Sequence, residues 1–203
     1  MTETFTPEFV EWPKTKRLFR TIVVTEKLDG TNAAIHVSPD GQVAAQSRNR
    51  LITPDSDNYG FAGWVQRNAG DLAYILGPGV HFGEWWGAGI QRRYGMESKR
   101  FSLFNTDRWF KVSPDDPHGL DSMATRAGFT ALLDDIGAVP VLYQGTFSEQ
   151  AITDALHDLS TFGSKAAKGF MNPEGVCVYH TQTRNVFKIT LDNQDAGKWE
   201  AAA

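Results

Sequence analysis

The sequence predicts an α+β fold in which two mostly antiparallel β-sheets are flanked by helices. Short β-prone segments follow one another from residue 21 onward, and few helical segments separate them. The sequence has no Gly-x-Gly-x-x-Gly between a strand and a helix and no Gly-x-x-x-x-Gly-Lys-Ser/Thr, the glycine patterns typical of parallel α/β folds. A hydrophobic fraction of 41% is enough for a substantial core. A parallel doubly wound sheet is therefore not expected.

The first half of the chain is expected to supply most of the strands. β-prone or aromatic-rich segments predict strands at residues 21–25, 32–37, 42–47, 80–86 and 100–106. Ser38-Pro39-Asp40-Gly41 is a turn signal, so residues 32–46 are expected to form a hairpin. Apolar residues near helical spacing predict one helix over about 60–76, which Gly77-Pro78-Gly79 ends.

The second half is expected to pack against the first. Residues 111–122 are rich in Pro, Asp, Gly and Ser, a composition that predicts a loop. After it, helices are expected at 127–136 and 148–159, and strands at 139–145, 175–180 and 185–190. Ser148 suits a helix N-cap, with Glu149 favourably placed in the first turn. These elements need apolar partners from the first half, so residues 1–203 are interpreted as a single domain.

Composition excludes several function classes. The net charge of −4 argues against a protein that coats nucleic acid through bulk electrostatics, although local basic clusters remain. The single cysteine, Cys177, excludes an internal disulfide and a zinc site built on paired thiolates. No apolar run approaches the ~20 residues of a membrane span and no basic-then-apolar leader is present, so a cytoplasmic protein is expected.

The segment 26–32, Glu-Lys-Leu-Asp-Gly-Thr-Asn, carries the most chemical information. Lys27 lies between two predicted strands, where enclosure by a sheet disfavours the charged form of an amine and leaves a nucleophile. Asp29-Gly30 permits a tight turn beside it, and Thr31 and Asn32 add polar groups for a phosphate or a hydrated metal. By itself, Lys-x-Asp-Gly also describes an ordinary surface turn.

Further motifs follow in a definite order along the chain. They lie at residues 27–32, 47–48, 82–87, 101–105, 173–176 and 186–191. Together they resemble the covalent nucleotidyltransferases, the superfamily of ATP-dependent ligases and mRNA capping enzymes. Within it they resemble the RNA ligase family, in its RNA ligase 2-like branch. The resemblance covers nearly the whole chain and implies a nucleotidyltransferase (ATP-grasp-like) domain.

This resemblance implies a three-step ligation. The amine of Lys27 attacks the α-phosphorus of ATP to give lysyl-AMP and pyrophosphate; AMP then passes to a 5′-phosphate end, and a 3′-hydroxyl displaces it. Mg²⁺ or Mn²⁺ is the implied cofactor beside ATP, because the developing oxyanion charge must be stabilised. RNA ends, in nicked duplex, are the implied partner.

The resemblance also implies roles for individual residues. Five are expected at the nucleotide site: Glu26 reads adenine, Glu84 accepts from a ribose hydroxyl, Phe104 stacks on the base, Arg48 holds the sugar and later the 5′-phosphate end, and Asn32 reaches the metal through water. Two serve catalysis beside Lys27: Glu174 helps to hold the metal, and Lys188 contacts the α-phosphate.

Each of these residues has a structural alternative. Phe104 in Phe-Ser-Leu-Phe is also typical of a core residue. Arg48 would suit a solvated hairpin end, and Glu174 an exposed loop. Glu84 lies among aromatic residues, where an ionised carboxylate loses hydration. It must therefore either have a partner within the protein or serve in the functional site.

The sequence departs from the family pattern in two respects. The last motif usually carries two lysines on either side of one residue, but only Lys188 is present, so Lys165 or Lys168 is a candidate for the second charge. About a dozen residues follow the final predicted strand. We therefore expect an adenylyltransferase domain over 1–203 with no C-terminal OB-fold or other accessory domain.

The substrate is predicted from fewer residues. Nucleic acid is expected to bind to Arg92 and Arg93, together with Arg50 and the basic cluster at residues 14–20. Related DNA ligases and capping enzymes carry arginine where this chain has Asn32, so RNA is favoured. The alternatives are sealing of DNA nicks, or a nucleotide-binding or adenylylating module that acts with an accessory protein supplying end-binding.

Overall fold

The computed structural model describes residues 7–109, 128 and 130–192. It contains ten strands: β1 Thr21–Lys27, β2 Thr31–Val37, β3 Val43–Ser47, β4 Leu51–Ile52, β5 Gly79–Gly87, β6 Lys99–Leu103, β7 Ile136–Ala138, β8 Val141–Thr146, β9 Gly175–His180 and β10 Asn185–Thr190. The α-helices in these ranges are α1 Phe61–Arg67, α2 Ala69–Leu76, α3 Thr106–Trp109 and α4 Glu149–Phe162, and Thr130–Asp134 forms a 3₁₀ helix. No helix in these described ranges is long and apolar enough to cross a membrane.

The strands form two sheets. One has four strands in the order β10-β9-β1-β8, and the other has six in the order β4-β3-β2-β5-β6-β7. The β6–β7 pair is parallel, and the other pairs are antiparallel. The predicted α+β fold with two mostly antiparallel sheets is confirmed.

Each sheet packs helices against its outer face. Helix α4 packs on the four-stranded sheet through Ile152, Ala155 and Leu159, which meet Ile22 and Val24 of β1. Helices α1 and α2 pack on the six-stranded sheet in a larger cluster that includes several aromatic side chains. Because strand residues alternate between faces, the neighbours of these core residues face the space between the two sheets.

A third apolar cluster lies beside the turn where the chain passes from one sheet to the other. Leu28 in this turn, between β1 and β2, packs with Trp86, Tyr94, Val139 and Ala167. Since these residues come from distant parts of the chain, the cluster fixes the junction of the two sheets.

The structure confirms the predicted hairpin and helix cap. Strands β2 and β3 pair around a turn in which Ser38 N donates to Gln42 O over 2.9 Å. At the start of α4, Ser148 Oγ accepts from Ala151 N over 3.1 Å.

Other elements differ from the sequence expectation. The helix expected over 60–76 is divided into α1 and α2 at Asn68, whose backbone angles (φ −109°, ψ 18°) leave the helical region, while its backbone N and its Nδ2 both donate to Trp64 O. The helix expected at 127–136 is a 3₁₀ helix that ends at Asp134, and Ile136 begins β7, whose pairing with β6 overrides local preference. The strand expected to begin at residue 139 begins at Val141, and the loop expected at 111–122 lies outside the described residues.

Candidate active site

A cleft of about 1180 Å³ lies between the inner faces of the two sheets. The four-stranded sheet lines it with alternate residues of three strands: Val23, Thr25, Lys27, Cys177, Tyr179, Val186 and Lys188. The six-stranded sheet and its extensions contribute Asn32, Arg48, Val80, Phe82, Glu84 and Phe104. Most of the predicted site residues therefore share one cleft.

The turn after Lys27 is held tightly against β5. A Cβ added to Gly30 would lie 2.4 Å from Trp85 O and 2.7 Å from Trp86 Cβ, so only glycine allows this approach. Gly30 N donates to Glu84 Oε1 over 3.1 Å. The Asp29-Gly30 pair thus brings the lysine motif and Glu84 together.

Lys27 forms an ion pair with Glu174. Lys27 Nζ donates to Glu174 Oε2 over 2.6 Å, and the two side chains are 22% and 12% exposed. The β1–β9 register brings the two side chains together, because Lys27 of β1 lies opposite Gly175 of β9 and Glu174 immediately precedes that glycine. Glu174 is therefore not the solvated loop acid of the alternative interpretation.

Glu84 is a buried carboxyl group at the side of the cleft. Its Oε1 accepts from Gly30 N, and its Oε2 accepts from Asn32 Nδ2 over 3.0 Å. Burial raises the pKa of Glu84 to about 7, although the nearby Lys27 charge and the Gly30 N–H act in the opposite direction. Glu84 is thus both paired within the protein and part of the cleft wall.

Asn32 links Glu84 to Arg48. Its Nδ2 donates to Glu84, and its Oδ1 accepts from Arg48 Nε over 2.8 Å and also from Arg48 Nη2. Both hydrogen bonds that Oδ1 accepts come from Arg48, so Asn32 orients this exposed guanidinium at the rim of the cleft. The expected contact of Asn32 with a metal through water stays a prediction.

Phe104 and Lys188 lie on opposite walls of the cleft. Phe104 is 43% exposed and lines the cleft, whereas Phe101 and Leu103 point to the core on the other face of the sheet. The interpretation of Phe104 as a core residue is therefore wrong. Lys188 of β10 pairs in register with Cys177 of β9, on the cleft face of the four-stranded sheet.

Glu26 is among the residues that line the cleft, but its carboxylate is buried and bonded within the protein. This carboxylate accepts from Ser164 Oγ at 2.5 Å, Lys165 N at 2.8 Å and Ala166 N at 3.0 Å. Burial raises its pKa, and these donors lower it in part. Strand alternation directs Lys27 and Glu26 to opposite faces, so the Glu26 carboxylate is engaged away from Lys27, and its expected reading of adenine stays a prediction.

Two expectations about basic residues also require correction. The guanidinium of Arg92 is hydrogen-bonded to Asp29, Asn172 and Asp192 and is therefore not available to bind nucleic acid. Arg93 is exposed. Lys165 and Lys168 do not line the cleft, and Lys165 Nζ lies 5.5 Å from the centre of the Phe162 ring. Neither lysine supplies a second charge beside Lys188.

Comparisons with known proteins agree with this geometry. The family model described as RNA ligase matches residues 20–190. The chain belongs to the RNA ligase family. A search of curated proteins finds no match.

Solved structures show the same fold. A Naegleria gruberi RNA ligase variant with ATP and manganese is 19% identical and has a TM-score of 0.57, over 88% of this chain and 53% of that chain. Another variant of that ligase, with AMP and manganese, is 20% identical and has a TM-score of 0.55, over 86% and 51% of the two chains. This RNA ligase family chain thus spans about half the length of these structures.

The cleft contains residues that the sequence reasoning did not assign to the site. Cys177 and Tyr179 form part of its floor, and alternation from Gly175 along β9 could have revealed them. Burial raises the pKa of the Cys177 thiol. Arg108 also lines the cleft, with its guanidinium 4.5 Å from the centre of the Trp109 ring and bonded to Leu76 O. No sequence pattern pointed to Arg108.

The carboxylates of this RNA ligase family chain suit a divalent cation that is shared with a phosphate ligand. Glu174 forms an ion pair with Lys27, which lines the cleft, and Glu84 lies on the facing wall. Residues 7–109, 128 and 130–192 contain no group of three or more His, Cys, Asp or Glu side chains able to hold a metal together. One or two carboxylates with substrate phosphates are the usual protein environment of Mg²⁺, so the residues present fit such an ion.

Proposed function

We propose that this chain is the adenylyltransferase domain of an ATP-dependent RNA ligase, with Lys27 as the nucleophile. The observation that carries the proposal is the position of Lys27. Its amine lies in a cleft between two sheets, paired with Glu174, and faces a wall that carries Glu84 and Phe104. A partly enclosed amine beside a carboxylate suits nucleophilic attack on phosphorus.

The residues around Lys27 suit the first step. Phe104 would stack on the adenine, and Glu84 would accept from a ribose hydroxyl, which places the α-phosphate near Lys27 and Lys188. The lone pair of Lys27 Nζ would form a bond to the α-phosphorus as the bond to the β-phosphate oxygen breaks and pyrophosphate leaves. Lys188 would stabilise charge on the α-phosphate oxygens.

Glu174 contributes to the same step. Its Oε2 lies 2.6 Å from Lys27 Nζ and can accept the proton that the amine must lose. Glu174 would also hold a divalent cation, Mg²⁺ or Mn²⁺, which supplies charge neutralisation on the phosphates when bound. Asn32 acts by orienting Arg48.

RNA is the proposed polynucleotide, in keeping with the family. Arg48 at the rim of the cleft would bind the 5′-phosphate end that receives AMP, and a 3′-hydroxyl would then displace AMP to close the strand. The exposed Arg93 and the exposed basic cluster at residues 14–20 remain candidate contacts for the strand.

A labelling experiment tests the first step. Incubation of the purified chain with α-labelled ATP and Mg²⁺ or Mn²⁺ should give a covalent AMP adduct, and Lys27→Ala should abolish it. Lys27→Arg should not restore the adduct, because a guanidinium stays protonated. Lys168→Ala, an exposed lysine outside the cleft, is the matched control and should keep the adduct. An adduct that persists in Lys27→Ala would refute the assignment.

A chase of the adenylylated protein tests the substrate. Single-turnover transfer should favour nicked RNA over nicked DNA and single-stranded RNA. Equal sealing of DNA nicks would move the assignment to a DNA ligase type. An adduct that passes to none of these strands would indicate an adenylylating module that requires an accessory protein for end-binding.

A further inference from the structure

Arg92 joins three segments that are far apart in the sequence. Its Nε donates to Asp29 Oδ2 over 3.1 Å, and its Nη1 donates to Asn172 Oδ1 over 3.0 Å and to Asn172 O over 3.3 Å. Its Nη2 donates to Asp192 Oδ2. The Arg92 side chain is only 15% exposed, so the three nitrogens of its guanidinium are used inside the protein.

Each of these segments carries one of the residues placed at the reacting phosphate. Asp29 lies two positions after Lys27, and Asn172 lies two positions before Glu174. Asp192 follows the end of β10, the strand that carries Lys188. Arg92 itself is outside the cleft lining, and therefore touches the active site only through these neighbours.

The segment that contains Arg92 is itself anchored. Tyr94 is buried among Trp86, Phe170 and their neighbours, and its Oη accepts from Asp29 N over 2.9 Å. Residues 92 and 94 therefore contact both the backbone and the carboxylate of Asp29. This double contact makes the segment a fixed support for the turn that follows Lys27.

Arginine is the residue type that this geometry requires. A guanidinium presents five N–H donors in a rigid planar fork, whereas an ammonium is a compact point charge on a flexible stem. Lysine at this position could keep the positive charge but could not reach three separate partners in the same directions.

We propose that Arg92 is a positioning residue, which holds Lys27, Glu174 and Lys188 in the arrangement that lysyl-AMP formation needs by bridging the three segments that carry them. This inference rests on the proposed function. It replaces the expectation that Arg92 binds RNA, and it locates the effect of Arg92 in a step that involves no RNA.

The test is single-turnover formation of lysyl-AMP at saturating ATP, with ATP affinity measured separately. Arg92→Ala should reduce the rate by about 10- to 100-fold, because a displacement of about 1 Å in a reacting group can cost that much. The dissociation constant for ATP should change by less than about threefold, since none of the hydrogen bonds of Arg92 involves Phe104 or Glu84. Arg67→Ala, on the outer helix α1, is the control for loss of an arginine charge and should keep the wild-type rate.

Milder variants keep the test valid if Arg92→Ala fails to fold. Arg92→Lys should recover only part of the lost rate, and Asp192→Ala, which removes one contact, should slow the step by a smaller factor. The effect of Asp192→Ala should be smaller in the Arg92→Lys background than in the wild type, because the two changes act on one shared contact. Thermal unfolding of each variant identifies any loss of folded protein.

Several outcomes would overturn the inference. These are a wild-type rate in Arg92→Ala, full recovery by Arg92→Lys, or a loss that lies wholly in ATP affinity. Normal lysyl-AMP formation with impaired transfer to RNA would restore the role of Arg92 as an RNA contact. Failure of the wild-type chain to form any adduct would instead refute the proposed function, so the two failures are distinguishable.

Discussion

The role of Phe104 can be tested against that of Phe101, because the two rings lie three positions apart on opposite faces of one sheet. Phe104 is 43% exposed and lines the cleft, whereas Phe101 is 0% exposed and packs against Phe61 and Trp64. If Phe104 stacks on adenine, Phe104→Ala should weaken ATP binding and leave folding nearly intact. Phe101→Ala should do the reverse.

The magnitudes separate the two effects. Stacking of a base on an aromatic ring contributes ~1–3 kcal/mol, so Phe104→Ala should raise the dissociation constant for ATP by about 5- to 150-fold. Its cost in unfolding free energy should stay below about 1 kcal/mol, as for other exposed positions. Removal of a fully buried phenylalanine costs about 3–5 kcal/mol, which is the expected loss for Phe101→Ala.

Two measurements on each variant are sufficient. ATP binding is measured by titration in the Lys27→Ala background, where no adduct forms, and stability is measured by urea unfolding. Phe104→Tyr and Phe104→Trp should retain most of the affinity because they keep an aromatic face. The reasoning is refuted if Phe104→Ala binds ATP as tightly as its parent, or if it destabilises the fold as much as Phe101→Ala.

Two further variants test the surroundings of Lys27. The folded-state pKa of Glu84, about 7, lies above the ordinary value of 4.5, so stability from this group is complete below pH 4.5 and is lost as pH rises through 7. This group should lower the free energy of unfolding by up to about 3 kcal/mol between pH 4 and pH 8, and Glu84→Gln should remove that loss. Urea unfolding at each pH measures it, and an unchanged pH dependence in Glu84→Gln would contradict the raised pKa of Glu84. Gly30→Ala should slow adduct formation at least about tenfold, because its Cβ meets Trp85 O at 2.4 Å. Gly70→Ala in α2, which meets nothing within 4 Å, should keep the wild-type rate in the same assay.

Local sequence patterns were sufficient for much of the fold. The Pro-Asp-Gly turn, the Ser148 cap and the strand segments act through neighbouring residues, and the structure contains all of them. The single helix expected over 60–76 was wrong because the backbone of Asn68 leaves the helical conformation. The strand that begins at Ile136 depends on a partner 35 positions earlier, Phe101, and no local pattern reveals that pairing.

The sequence by itself determined the order of motifs and the chemistry of Lys27, Glu84, Phe104, Glu174 and Lys188, because those properties belong to residue types and their spacing. Only the tertiary structure decided which of these side chains meet and which face of each strand borders the cleft. Strand alternation separates Glu26 from Lys27, but residues 164–166, which follow helix α4, decide that the carboxylate of Glu26 is covered. The contacts of Arg92 span 63, 80 and 100 positions, and such distances close only through the packing of both sheets.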